Sequence, residues 1–140
     1  MAFTSMPITT FPAKFEYLDE IRDFIAQVAR QSGFADKEVY SLQLAADEAA
    51  SNIIEHAYEG IGTGSIGISC EMHEDSLIII MQDQGKAFDP SKVRHPNLKA
   101  DLSARQIGGL GVYLMRKLMD EVHYKSTGKN NTLTLIKRRG

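Results

Sequence analysis

Apolar residues recur along this chain with two different periods, and the switches between them outline the fold. Leu18, Ile21, Phe24, Ile25 and Val28 fall at helical spacing and predict a helix over Phe15 to Phe34, with Gly33 near its C-terminal end. Val39, Leu42, Ala46, Ala49, Ile53 and Ala57 form the stripe of a second helix. That helix is expected to start at an Asp36 N-cap, carry Glu38 in its first turn and end at Tyr58–Glu59–Gly60. The period then changes to two. Ile66, Ile68 and Cys70 alternate, and Leu77 to Met81 run apolar without a break. Paired strands are therefore expected over Gly64 to Met72 and Ser76 to Asp83, turned at His73–Glu74–Asp75. Leu110, Leu114, Leu118 and Met119 predict a third helix over Gly109 to Met119. A closing hairpin follows, Glu121 to Ser126 and Thr132 to Lys137, around the turn Gly128–Lys129–Asn130–Asn131. Ile8 to Phe11 fits a short edge strand.

Between Asp89 and Gln106 no period holds. A connection of that length exceeds the usual limit for structureless loops and reads as a lid or binding loop, with a short helical turn near Leu98–Ala104 as the alternative. The element order lacks regular βαβ alternation. It predicts an α+β fold, a two-layer sandwich of a mixed, largely antiparallel sheet with three helices on one face, forming a single domain over residues 1–140.

Composition narrows the function without naming it. A net charge of −2 leaves no electrostatic footprint for nucleic acid, so no direct nucleic-acid partner is expected. Met1 to Phe11 lacks a basic start and an apolar core, and no window approaches a membrane span. The expectation is a cytoplasmic protein with no membrane partner. The lone cysteine, Cys70, excludes an intrachain disulfide, sits in an apolar run and reads as an inert core residue.

Candidate chemistry lies in three separated segments. Glu48 and Asn52 stand four residues apart, so a helix presents both on one face, one turn apart. A carboxylate can take a proton, and a carboxamide oxygen can ligate a hard cation such as Mg²⁺. Such pairs occur commonly on solvated helix faces. Here the small residues Ala45, Ala46, Ala49 and Ala50 leave room for a ligand, and asparagine is a mediocre helix-interior residue. Asp83 and Gly85 follow the apolar strand; the acid serves equally to start a turn or to accept a hydrogen bond from an exocyclic amine. Gly108–Gly109–Leu110–Gly111 opens the third helix, where glycines suit either a lid hinge or a close approach of phosphate to helix amides. Neither a P-loop nor a dinucleotide fingerprint is present. His56 reads as a brace at the helix end, and Ser51 has no triad partners. Asp47 adjoins Glu48 but points about 100° away, so little coupling is expected.

Taken together, Glu48 to Tyr58 resembles the N box, Asp83 to Pro90 the G1 box and Gly109–Leu110–Gly111 the G2 box of the histidine kinase-like (GHKL) ATPase superfamily. Within it the chain is most similar to the bacterial anti-sigma factor serine-protein kinases, from its length, His56-Ala-Tyr58, Phe88-Asp89-Pro90 and Leu118-Met119-Asp120-Glu121-Val122. The resemblance implies an ATP-dependent protein-serine kinase in which Asn52 holds Mg²⁺ and Glu48 is the general base. It implies that Asp83 reads the adenine amine, that Gly85 and Ala87 lie beneath the ring, and that Thr132 sits near it. Gly109, Leu110 and Gly111 would border the phosphates, with Lys86, Lys99 and Arg105 as further candidates. The implied partners are a sigma factor, a STAS-domain antagonist phosphorylated on serine, and a second copy of the chain. The alternatives are a nonenzymatic nucleotide-binding module, a switch kinase acting on a phosphatase regulator, and a histidine kinase fragment.

Overall fold

The computed structural model describes residues 6–89 and 107–140. Five strands form one sheet: β1 (Thr9–Pro12), β2 (Ser65–His73), β3 (Ser76–Asp83), β4 (Glu121–Ser126) and β5 (Asn131–Arg138), in the order β1-β2-β3-β5-β4. All four pairings are antiparallel, so the largely antiparallel sheet is there and no parallel pair occurs among the described strands. Three α-helices pack on it: α1 (Leu18–Gln31), α2 (Asp36–Asn52) and α3 (Ile107–Leu118).

Strand alternation sets the layer boundary. Ile66, Ile68, Cys70 and Met72 of β2, Leu77, Ile79 and Met81 of β3, and Leu133 and Leu135 of β5 are buried, while their neighbours point to the other face. The unbroken run Leu77 to Met81 is thus divided between faces, with Ile78 and Ile80 only partly covered. The buried face meets Ile21, Ile25 and Val28 of α1, Val39 and Leu42 of α2, and Val112 and Met115 of α3 in one core. Full burial of each large aliphatic side chain contributes about 1.5–3 kcal/mol. Ala45, Ala46, Ala49 and Ala50 are all fully buried, so the C-terminal half of α2 lies close against its neighbours. Cys70 belongs to this core, and burial pushes its thiol up to about 12.

Three local features differ from the sequence pattern. The stretch expected to open the first helix is a 3₁₀ turn, Phe15–Tyr17, and α1 begins only at Leu18. The expected cap of α2 is replaced by its reciprocal. Ala35 precedes the helix, and its amide donates to the Glu38 carboxylate at 3.1 Å, so Glu38 and not Asp36 satisfies the exposed amide. Most consequential is the end of α2. From Ile53 to Ala57 the chain widens into a π-helical turn, marked by the Tyr58 amide bonding to the Ile53 carbonyl at 3.1 Å. The expected lid or binding loop falls almost wholly on residues 90–106, outside the described residues, as do Lys99 and Arg105.

Candidate functional site

The end of α2, the π-turn, the tip of β3 and the β4–β5 hairpin meet around a narrow cavity bordered by Asn52, Ala57, Asp83, Phe88, Met115 and Leu133. Its open interior is about 20 Å³, room for a single water, so a larger ligand requires its walls to part.

One end of this cavity is densely bonded. The Asp83 carboxylate, 6% exposed, accepts through Oδ1 from the Gly85 amide at 2.9 Å and from Asn131 Nδ2 at 2.8 Å. Two donors on one oxygen fix the carboxylate plane and leave Oδ2 as the acceptor for an incoming N–H. Gly85 is held against the π-turn, and the next amide, that of Lys86, donates to the Ala57 carbonyl at 2.7 Å. A Cβ on Gly85 would collide with that same Ala57 carbonyl, so only glycine brings this loop against the π-turn. Tyr58 ties the two sides: its hydroxyl donates to the Ser65 carbonyl (2.8 Å) and accepts from the Gln84 amide (2.9 Å). His56 stacks on Phe88 with ring centroids 4.3 Å apart, which bears out its reading as a brace. The Phe88 amide donates to the Tyr124 hydroxyl at 2.8 Å, and burial raises the Tyr124 phenol above its usual range.

The other end is left open chemically. Asn52 is 7% exposed, and its Nδ2 is a buried polar atom without a hydrogen-bond partner. An orphaned amide inside a helix costs about 1–3 kcal/mol, which suits a group awaiting a ligand. Glu48, one turn earlier, lies against Gly111 of α3, and a Cβ at Gly111 would overlap its carboxylate. Burial, then the charges of Asp47 and Glu55, raise the Glu48 carboxyl above its ordinary value. The expectation of little coupling to Asp47 is thereby corrected. Asp47 itself turns to α1, where Arg22 donates to it at 2.7 Å, yet its charge remains close enough to disfavour ionised Glu48.

The structure therefore gathers Glu48, Asn52, Asp83, Gly85 and Gly111 around one region. Gly109 and Leu110 lie in the first turn of α3, where the leading amides have no partner within a helix. Gly111 sits in the second turn, where an amide already bonds back along the helix, so its contribution is the space it gives Glu48. Two expected residues do not join them. Ala87 is exposed and does not border the cavity. Thr132 pairs with Gln82 and Lys125 on the far face of the sheet, because strand alternation turns every second residue outward. The inward position beside it is Asn131, 2% exposed and bonded to Asp83. Its shared parity with Leu133 and Leu135 was the available signal. Lys86 is largely exposed, with its ammonium 3.9 Å from Glu59.

This donor set fits a magnesium nucleotide. No group of three His, Cys, Asp or Glu side chains forms a cage among the described residues, and Mg²⁺ commonly takes one or two protein oxygens plus waters and phosphate oxygens. Asn52 borders the cavity: its Oδ1 is the atom that would ligate such a cation, while the unpartnered Nδ2, a donor, would meet a water or phosphate oxygen. No helix among the described residues is long and apolar enough to cross a membrane.

Comparison with known proteins agrees with this geometry. The histidine kinase-like ATPase domain family matches residues 11–137. A serine-protein kinase RsbW of Bacillus pumilus is 37% identical over 122 residues, covering 82% of this chain and 75% of its own. That of Bacillus subtilis is 35% identical over 121 residues, covering 82% and 74%. Among solved structures, the RsbU and RsbW domains of Rv1364c from Mycobacterium tuberculosis superpose with a TM-score of 0.66 at 16% identity, over 96% of this chain and 33% of that one. The catalytic domain of the histidine kinase ThkA gives 0.57 at 15% identity, over 96% and 97%. The chain belongs to the anti-sigma factor serine-protein kinase family within the histidine kinase-like ATPases.

Proposed function

We propose that this protein transfers the γ-phosphoryl group of ATP to a serine hydroxyl of a STAS-domain antagonist, and that it holds a sigma factor when the antagonist is phosphorylated. The observation that carries the reading is the pairing of a raised carboxyl at Glu48 with an uncommitted carboxamide at Asn52, on one helix face beside the Asp83 cavity. Glu48 takes the hydroxyl proton as the serine oxygen bonds to phosphorus and the bond to ADP breaks. A base with a raised pKa is better matched to that proton than an ordinary surface carboxylate, because its proton affinity lies nearer working pH. Asp83 accepts from the adenine amine, and Gly85 keeps the loop close to the base. Asn52 and water would hold Mg²⁺, which supplies neutralising charge to the phosphates when bound. Gly109 and Leu110 would present leading amides of α3 to phosphate.

Phosphorylation adds about −1.5 to −2 charges to the antagonist, enough to expel it from a close interface and leave the surface for the sigma factor. The working form is proposed to be a cytoplasmic homodimer, with α1 and the β1 edge as candidate surfaces. The test is incubation with γ-labelled ATP, Mg²⁺ and a candidate STAS-domain antagonist. Acid-stable label on serine is expected. Acid-labile label would instead indicate histidine chemistry. ATP binding by calorimetry with no label transferred would overturn the kinase reading in favour of a nucleotide-gated binding module.

A further inference from the structure

A directional chain of hydrogen bonds runs from the β4–β5 turn into the cavity. The Gly128 amide donates to Ser126 Oγ at 3.3 Å, and Ser126 Oγ donates to Asn131 Oδ1 at 2.7 Å. Asn131 Nδ2 then donates to Asp83 Oδ1 at 2.8 Å and to the Gly85 carbonyl at 2.9 Å. Each step constrains the next. A hydroxyl can donate or accept, but with Gly128 occupying its acceptor side Ser126 turns its proton toward Asn131. An amide can present oxygen or nitrogen, but with Oδ1 receiving that proton the Nδ2 end faces Asp83. A flipped Asn131 would set its oxygen against two other acceptors, the Asp83 carboxylate and the Gly85 carbonyl. Asn131 is 2% exposed, so no water replaces these partners readily.

We infer that Asn131, oriented by Ser126, is a positioning residue that fixes base selectivity by holding the Asp83 side chain with Oδ2 turned to the ligand. The inference rests on the proposed ATP reading. Asp83 held this way accepts from a ring bearing an exocyclic amine and repels one bearing a carbonyl at the same place. Adenine nucleotides are thereby favoured over 6-oxopurine nucleotides. Without the Asn131 donor, the Asp83 carboxylate is free to rotate and no longer presents a fixed acceptor at the 6-position of the ring. Selectivity here is therefore a property of a buried network around Asp83 and not of Asp83 alone.

The experiment measures binding of three nucleotides by calorimetry: ATP, inosine triphosphate and purine riboside triphosphate, which lacks the 6-substituent. The wild type is compared with Asn131→Leu and with Ser126→Ala, which removes a hydroxyl that bonds both Asn131 and Tyr124 but leaves the buried Asn131 side chain in place, and so guards against misfolding of the core variant. Wild-type protein is expected to prefer ATP over both analogues by at least ~10-fold, the worth of one charge-assisted bond. In Asn131→Leu that preference is expected to collapse to within ~3-fold, while affinity for purine riboside triphosphate stays nearly constant. Ser126→Ala is expected to fall between. A merely structural role would weaken all three nucleotides together, and that outcome overturns the inference. Retention of full ATP preference in both variants overturns it too and leaves the ATP reading standing. A wild type without preference for the amine overturns both.

Discussion

The two ends of the cavity are built on opposite principles. Around Asp83 the polar groups are paired before any ligand arrives: Gly85, Asn131, Ser126, Tyr58 and Gln84 form a closed set of bonds. Around Glu48 the reverse holds. Asn52 keeps an unpartnered buried amide, and Glu48 is a carboxyl held above its usual range by burial and by neighbouring acids. A rigid acceptor suits recognition, since little ordering remains to be done on binding. Unsatisfied groups suit chemistry: on the proposed reading, an incoming metal and phosphate would relieve them. On the proposed reading the difference would separate binding from transfer, and variants at the two ends are expected to separate the two measurements.

The largest expected effect is at the reactive end. Glu48→Ala should reduce phosphoryl transfer by ~10²–10⁴-fold with ATP affinity changed less than ~3-fold, as read by labelled transfer and calorimetry. Gly111→Val comes next. Its side chain would displace the Glu48 carboxylate, and transfer should fall by roughly 10²-fold through misplacement alone, with Glu48 still present. A transfer rate unchanged in Gly111→Val would show that the two helices adjust freely. At the recognition end, Asp83→Asn should weaken ATP about 10- to 100-fold, with kcat at saturation changed far less.

Smaller effects sharpen the contrast. Transfer by the wild type should fall as pH drops through a value above the ordinary carboxylate range, because the protonated base is inactive. Removing the Asp47 charge makes ionised Glu48 easier to form, so Asp47→Asn should move that acid limb to lower pH in a pH–kcat profile. The same shift costs stability. A carboxyl whose folded pKa is raised binds protons more readily when native, so its stabilising contribution is lost as pH rises through that range. Glu48→Gln should therefore raise Tm slightly in mildly alkaline buffer while cutting transfer as Glu48→Ala does, the usual trade at a functional site.

Most of the fold could be read from periodicity because one face of each element is buried. Ile66, Ile68 and Cys70 give the sheet its sidedness, and the Ala-rich stripe gives α2 its close packing. The pair Glu48 and Asn52 was legible for the same reason, being fixed by helical spacing alone. What escaped had three separate causes. The π-turn is invisible to pattern, since Ile53 and Ala57 continue an apparently ordinary stripe and only the Ile53–Tyr58 bond reveals the wider pitch. Asn131 was overlooked in favour of Thr132 because a motif fixes a neighbourhood, whereas strand parity decides which neighbour faces inward. Asp47 escaped for a third reason: angular separation on a helix limits contact, but charge acts through space once water is excluded.

The widened turn at Ile53–Ala57 also makes insertion and deletion unequal here. Loss of one residue between 53 and 57 would let the turn tighten to ordinary pitch with the chain beyond it kept near its place, because a π-turn holds about one residue more. Gain of one residue has no such slack and would swing everything beyond it by about 100° round the axis. Ala57 would then face away from Lys86, and the loop carrying Asp83 would lose its abutment without any change to Asp83 itself.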